Sequence, residues 1–392
     1  MMEILATTTS LAESLACSEC GTTYLMDQLQ TYATCCNKPL VVNYRESNDF
    51  RKQDLIGRET TMWRYHEMLP VFDLKYKVSL GEGMTPILPL ERLGSRYGFE
   101  NVAVKDEGLN PTGSFKSRGQ SMAISKAKEL GVTEVIVPTA GNAGGAMSAY
   151  AAAAGMKATV IMPVGTPKVF QDECRIYGAE VIMYDGLIDK CGAIAAEIQQ
   201  ETGAWNVSTL KEPYRLEGKK TMGYEIAEQY NWDLPDVIIY PTGGGTGLLG
   251  IWKAFKEMVS MGWLEADRLP KMVVVQSSAC SPLVDYFSGI TTDPSTYEMS
   301  IANGLSVPKA FGQDMIETVV RESNGMAVAV PEKEIMENIK EISSTEGISI
   351  SPEGAAVWMA LRQLESQGKV QKHERVLLLN TGNGYKYFEN FY

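Results

Sequence analysis

Lys116 stands in the run Asn110-Pro111-Thr112-Gly113-Ser114-Phe115-Lys116-Ser117-Arg118-Gly119, directly ahead of a helical pattern. A lysine set among small, turn-forming and hydroxyl residues suits a covalent anchor for an aldehyde. An amine whose pKa is lowered by burial or a nearby cation becomes nucleophilic and forms Schiff bases. A surface lysine beside a turn is the ordinary alternative, so the remaining loops must decide. The chain has two histidines, His66 and His373, neither in a catalytic or metal-binding spacing. A Ser-His-Asp hydrolase or a multi-histidine metal enzyme is therefore disfavoured. Chemistry near neutral pH falls to lysine, carboxylates or a cofactor.

Three other loops carry residues of the right kind. In Thr139-Ala140-Gly141-Asn142-Ala143-Gly144-Gly145 the glycines let backbone amides approach a ligand, and the following helix start favours an anion such as an amino-acid carboxylate. Asn142 adds an amide able to bond a phenolic oxygen. In Tyr240-Pro241-Thr242-Gly243-Gly244-Gly245-Thr246-Gly247 the consecutive glycines form a nest of amides suited to a phosphate monoester. No Gly-Lys-Ser/Thr follows, so it is not a Walker loop. In Leu379-Asn380-Thr381-Gly382-Asn383-Gly384 the Thr381 hydroxyl can face a heteroaromatic nitrogen. Each loop alone could equally be a tight turn without a ligand. Glu212-Pro213-Tyr214-Arg215-Leu216-Glu217-Gly218-Lys219-Lys220-Thr221 brings an arginine into the approach to a helix start, where it could bind phosphate bidentately or simply be surface charge.

Elements that would position these loops follow from periodicity. Short β-branched runs at 102–105, 134–138, 158–162, 181–184, 237–240, 272–276 and 376–380 read as strands. Helical patterns separate them, among others at 117–130, 143–154, 190–201, 221–230 and 247–258. Alternation of this kind means βαβ units and mostly parallel sheets with right-handed crossovers. Ligands in such folds gather at the carboxyl ends of strands, where Gly141, Gly243 and Thr381 fall.

The amino-terminal stretch differs. Cys17-Ser18-Glu19-Cys20-Gly21 is a knuckle, and Cys35-Cys36 could supply a second pair, so that Cys17, Cys20, Cys35 and Cys36 read as a zinc ribbon. The second pair has no spacer, which strains tetrahedral chelation. A remnant ribbon with reduced thiols is the alternative.

Composition bounds the partners. The chain has 392 residues, 44% apolar and 21% charged, enough for two or three domains of an ordinary globular protein. A net charge of −12 disfavours nucleic acid and a polybasic membrane contact. No apolar run is of spanning length, and the start Met1-Met2-Glu3-Ile4-Leu5 lacks a secretory pattern. Seven cysteines, an odd number, do not suit a disulfide framework, so a cytoplasmic location is expected.

Taken in order, these blocks resemble the fold-type-II pyridoxal-phosphate enzymes and, within them, the threonine synthases. The likeness begins at the cysteine knuckles and Leu80-Gly81-Glu82-Gly83-Met84-Thr85-Pro86. It runs through Lys105-Asp106-Glu107-Gly108-Leu109 and the lysine run to the later loops. It implies an α/β fold of two mostly parallel αβα domains with a small Cys-knuckle lobe: residues 1–70 as the lobe, 71–119 plus 216–392 as the large cofactor domain, and 120–215 as the small domain. It also implies pyridoxal 5′-phosphate held by Lys116, Asn142, Gly243, Gly244, Gly245, Thr246, Gly247 and Thr381, with Lys116 moving protons. Thr139, Ala140, Gly141 and Ala143 would take the substrate carboxylate and Arg215 a substrate phosphate. The implied reaction turns O-phospho-L-homoserine and water into L-threonine and phosphate, in a homodimer. Ser117, Glu212, Ala140, Ala143 and Asn383 depart from the family pattern. They leave a serine/threonine dehydratase or a β-replacing synthase as the alternative. Glu212 beside a phosphate would repel it unless it turns away or pairs with Lys211, Arg215 or Lys219.

Overall fold

The computed structural model describes residues 10–47, 49–186 and 188–391. In chain order the strands are β1 (Ala12–Cys17), β2 (Thr23–Tyr24), β3 (Leu40–Tyr44), β4 (Ile87–Pro89), β5 (Asn101–Asp106), β6 (Glu134–Pro138), β7 (Lys157–Pro163), β8 (Glu180–Tyr184), β9 (Trp205–Asn206), β10 (Val237–Pro241), β11 (Lys271–Ser277), β12 (Met326–Val330) and β13 (Arg375–Asn380). The α-helices are α1 (Glu91–Tyr97), α2 (Lys116–Glu129), α3 (Asn142–Ala154), α4 (Lys168–Ile176), α5 (Ile188–Thr202), α6 (Tyr214–Gln229), α7 (Thr246–Ser260), α8 (Pro282–Phe287), α9 (Gln313–Glu322), α10 (Ile335–Glu346) and α11 (Pro352–Ser366). All seven strands expected from periodicity form.

The chain divides into two compact units. The first comprises Met1–Met84 and Lys116–Met222, the second Thr85–Phe115 and Gly223–Tyr392. The first unit holds an antiparallel sheet of order β2-β1-β3 and a parallel sheet of order β8-β7-β6-β9. Alternation along the parallel strands sends Ile136 and Ile161 toward Cys191 and Ala195 of α5. The intervening Val135, Val137, Val160 and Met162 are buried too, and α3 packs against β6 and β7. Apolar side chains on both faces of a strand are what a helix-covered parallel sheet requires.

The second unit is built on a sheet of order β12-β11-β10-β13-β5-β4, parallel except for the edge strand β4. Val102, Val104, Val237, Ile239, Val273, Val275, Val376 and Leu378 turn to one face and meet Ala355, Ala356 and Trp358 of α11. Ile238, Val274 and Leu377, one residue out of phase, are also buried. Burial of about 1.5–3 kcal/mol per large apolar side chain makes this core the main source of cohesion in the unit.

Helix α6 begins at Tyr214, seven residues ahead of the expected 221. The interior Gly218 is required by the packing. A methyl there would lie 2.1 Å from the Arg118 carbonyl oxygen of α2. No described helix is long and apolar enough to cross a membrane.

Candidate active site

Within the first unit, Lys116 is the opening residue of α2 and is half-buried. Helix α2 crosses α6 at backbone contact, because Gly119 and Gly218 carry no side chain. A methyl at 119 would stand 3.0 Å from the Arg215 carbonyl oxygen and 3.1 Å from Lys219 Cε. Arg215 and Lys219 are four residues apart and so share one face of α6. Both are buried. The result is a group of three cations, Lys116, Arg215 and Lys219, with one carboxylate, Glu212.

Each member answers to the others. Burial first, then the charges of Lys116 and Arg215, hold Lys219 well below the ordinary lysine value, against the pull of Glu212. Burial lowers Arg215, and Glu212 counters it. Glu212 itself is raised by burial, opposed by Arg215 and by two backbone hydrogen bonds. Those bonds define its job. Its carboxylate accepts from the amides of Tyr214 at 2.7 Å and Arg215 at 3.0 Å, capping the start of α6. The carboxylate thus spends its charge on the helix terminus. Arg215 Nη1 donates to the Val207 carbonyl. Its Nε and Nη2 are buried without a partner. Unmade charged donors of this kind are costly, and an anion would satisfy them.

Glu82 ties the same region together. It accepts from Trp63 Nε1 at 3.0 Å, Ser121 Oγ at 2.6 Å, Tyr150 OH at 2.6 Å and the Leu80 amide at 2.9 Å. Helices α2 and α3 are thereby pinned to one buried carboxylate. Burial, with Glu82 next, raises the Tyr150 hydroxyl far above its usual value, while Ser117 hydrogen-bonds to it. The loop Thr139-Ala140-Gly141-Asn142 is half-buried between β6 and α3. Ala143, the next residue, is buried in the first turn of α3. The Gly141 amide donates to Thr139 Oγ1 at 3.2 Å, and α3 has no side-chain cap. Gln120, one turn along α2 from Lys116, is buried with neither amide atom bonded.

In the second unit the glycine nest joins β10 to α7. Gly245 adopts φ +75°, a left-handed geometry natural to glycine, and α7 has no side-chain cap. The amides of Thr246, Gly247 and Leu248, in the first turn, have no acceptor within the helix. Gly247 is also required by packing, since a methyl there would overlap the Tyr240 hydroxyl. Thr381, at the end of β13, is buried. Its carbonyl accepts from the Phe115 amide at 3.2 Å, and the Asn383 amide donates to Gly113 at 2.9 Å. The segment leading into Lys116 is therefore laced antiparallel to the Thr381 loop. Asn383 fixes that loop further, accepting from Ser349 Oγ at 3.2 Å and donating to the Gly108 carbonyl at 3.4 Å. Ser114 Oγ is buried there without a partner.

Beneath this loop Lys105, wholly buried, donates to the Thr85 carbonyl at 3.0 Å, Glu225 at 3.1 Å and Gln229 at 3.0 Å. Glu107 accepts from Thr85 and Asn110. Asp106, raised by burial, accepts from Asn380 at 2.8 Å and the Gly108 amide at 3.0 Å.

From the sequence Lys219 was expected only as a candidate partner of Glu212, and Glu82, Ser114 and Gln120 had no role. The i, i+4 spacing of Arg215 and Lys219 was a usable signal for the first. The others depend on contacts distant in sequence. In the amino-terminal lobe, the Sγ atoms of Cys17, Cys20, Cys35 and Cys36 all lie within 4.8 Å of one another. The missing spacer does not keep the second pair from converging with the first.

Residues 78–382 match the family model described as "Pyridoxal-phosphate dependent enzyme". The chain is 34% identical to a threonine synthase of Methanocaldococcus jannaschii, with 94% of this chain and 92% of that protein aligned. It is 35% identical to a threonine synthase of Synechocystis sp., with 82% of each covered. Among solved structures, maize serine racemase superposes with a TM-score of 0.65 at 24% identity, over 78% of this chain and 93% of that one. A processed threonine deaminase from Solanum lycopersicum superposes with a TM-score of 0.66 at 22% identity, over 85% and 94%.

Proposed function

Because the chain belongs to the pyridoxal-phosphate dependent enzyme family and is a threonine synthase-like lyase of the fold-type-II class, we propose that it converts O-phospho-L-homoserine and water to L-threonine and phosphate. The observation that carries the choice of substrate is Arg215, a buried guanidinium with two nitrogens unsatisfied, four residues from the buried Lys219. Such a cluster suits a phosphate that leaves as a dianion.

The donor sets fit the cofactor. The glycine turn ahead of α7 and the uncapped helix start would give the amides of Gly243, Gly244, Gly245, Thr246 and Gly247 to its phosphate. Lys116 would hold its aldehyde carbon. Asn142 would donate to the ring hydroxyl, and the Thr381 hydroxyl would face the ring nitrogen. When bound, pyridoxal phosphate supplies an electron sink that lets an α-proton leave the substrate carbon.

The protein's own groups do the rest in this reading. The Lys116 amine takes the α-proton and moves protons thereafter. The loop of Thr139, Ala140, Gly141 and Ala143 orients the carboxylate through backbone amides, chiefly those at the start of α3, since the Gly141 amide is already given to Thr139. Loss of a β-proton then lets the Cγ–O bond break, with Arg215 and Lys219 stabilising the departing phosphate; Cγ and Cα regain protons, and water adds its hydroxyl at the β-carbon and gives up a proton. Glu212 turns to the α6 amides, and Arg215 and Lys219 offset its charge, so it need not repel the phosphate. The proposed setting is a cytoplasmic homodimer.

Assay of the purified, cofactor-loaded protein with phosphohomoserine tests the reading. Threonine and phosphate in equal amounts support it. A keto acid from serine or threonine, with no turnover of phosphohomoserine, would instead support the dehydratase alternative that Ala140 and Ala143 suggest.

A further inference from the structure

We propose that Cys17, Cys20, Cys35 and Cys36 bind one Zn²⁺ as a four-thiolate tetrahedral site that staples the amino-terminal lobe. The pyridoxal chemistry makes no use of these residues, and the geometry stands apart from it.

Two turns build the site. After β1, Cys17, Ser18, Glu19 and Cys20 form a knuckle closed by the Gly21 amide donating to the Cys17 carbonyl at 3.0 Å, with Gly21 at φ +73°. A second hairpin is closed by Ala33 and Lys38, the Ala33 amide donating to the Lys38 carbonyl at 2.8 Å. Cys35 and Cys36 are at its tip, and Asn37 turns the chain at φ +55°. The β1–β3 register sets Cys17 opposite Leu40, and the Ser18 amide donates to the Pro39 carbonyl at 3.0 Å. The first knuckle is thereby clamped against the chain leaving the second.

The sulfur spacing fits the ion. A tetrahedron with Zn–S bonds of about 2.3 Å has S···S edges of about 3.8 Å. All four Sγ atoms here are within 4.8 Å of one another, and Cys20 and Cys35 are 3.5 Å apart. Thr22 Oγ1 lies 3.2 Å from the Cys20 sulfur, and Tyr24 OH accepts from the Cys35 amide at 3.2 Å, so polar groups orient the ligands. Four soft thiolates in this arrangement select zinc over hard cations such as magnesium or calcium. Each thiol gives up its proton on binding, so four protons leave for one Zn²⁺.

The lobe has reason to need a staple. Its sheet has three strands, one of only two residues, and Cys20 and Cys35 are exposed. Small sheets without a large core lean on metals or cross-links. The segment between the knuckles also reaches into the unit, where the Gln30 carbonyl accepts from Trp205 Nε1 at 3.2 Å.

The test uses the full-length, cofactor-loaded chain after exhaustive dialysis. Elemental analysis should give one zinc per chain, and X-ray absorption should show a shell of four sulfurs at about 2.3 Å. Cys20→Ser with Cys35→Ser should lower bound zinc at least tenfold. If that variant fails to fold, the wild-type measurement still decides: titration with a mercurial should release one zinc per chain, read with a colorimetric chelator, as the four thiols are taken up. Less than a tenth of a zinc per chain, iron in its place, disulfides among these cysteines, or nitrogen and oxygen in the metal shell would each overturn the proposal. None of these readouts depends on turnover, so they stand whether or not phosphohomoserine is the substrate.

Discussion

Gly218 of α6 faces the backbone of Arg118 in α2 so closely that a methyl at 218 would sit 2.1 Å from the Arg118 carbonyl oxygen. Lys116 begins one of these helices and Arg215 lies at the start of the other. Gly218→Ala should therefore force the helices apart and destabilise the protein by about 1–3 kcal/mol in urea unfolding. Turnover should fall with it. A variant as stable and active as wild type would show that the contact is looser than described.

Lys116→Ala removes the proposed anchor. The variant, saturated with pyridoxal phosphate, should lack the visible absorbance of a lysine-bound cofactor and should not turn over. Borohydride reduction of the wild type followed by peptide mass spectrometry should place the cofactor mass on Lys116. A tag on another lysine would remove this residue from its role.

Arg215→Ala should raise KM for a phosphorylated substrate by roughly 10²-fold, the scale of a lost charge-assisted hydrogen bond in a buried site. The effect on an unphosphorylated amino acid should be much smaller. Equal effects on both would reassign Arg215 to a structural role.

Glu212→Ala removes the side chain that accepts the Tyr214 and Arg215 amides. Loss of such a cap costs about 1–2 kcal/mol. Glu212→Gln keeps an accepting oxygen and should lose less than half as much. Denaturant midpoints of the two variants measure the difference, and equal losses would point to charge rather than capping as the contribution.

His66 is held below its ordinary value by burial, with Glu67 pulling the other way. Its folded form thus binds fewer protons than the unfolded chain in the window between the lowered value and about 6.5. The linked stability is present above that window and lost as pH falls through it. The melting temperature should drop from about pH 7.5 to about pH 5, and His66→Gln should flatten this limb. An unchanged slope in the variant would exclude His66 as the group responsible.

The sheets were readable because their strands are apolar on both faces, as in Val237 to Tyr240, so a run of β-branched residues marks each one. The loops that follow them were readable because a strand end followed by glycines has few other uses. The early start of α6 was only partly so: an arginine near a helix start is visible in the Glu212–Arg215 segment, but the packing of Gly218 against Arg118 is not. Glu212 looked like a repulsive neighbour of a phosphate because its partners are backbone amides, which carry no mark in the residue order. Glu82 gathers Trp63, Ser121 and Tyr150 from three stretches of chain. No local pattern encodes such a meeting. The four cysteines were legible as a pair of knuckles, but only the hairpin turn at Asn37 shows that adjacent cysteines can both face the first pair.

Strand β13, near the end of the chain, lies between β10 and β5 in the larger sheet. A ribosome releases β5 long before the neighbour that completes its ladder exists. Until residues 375–380 emerge, β5 has only the short β4 beside it, and β10 waits with an open edge. A chain cut before Arg375 would thus leave β10 and β5 without the strand that joins them.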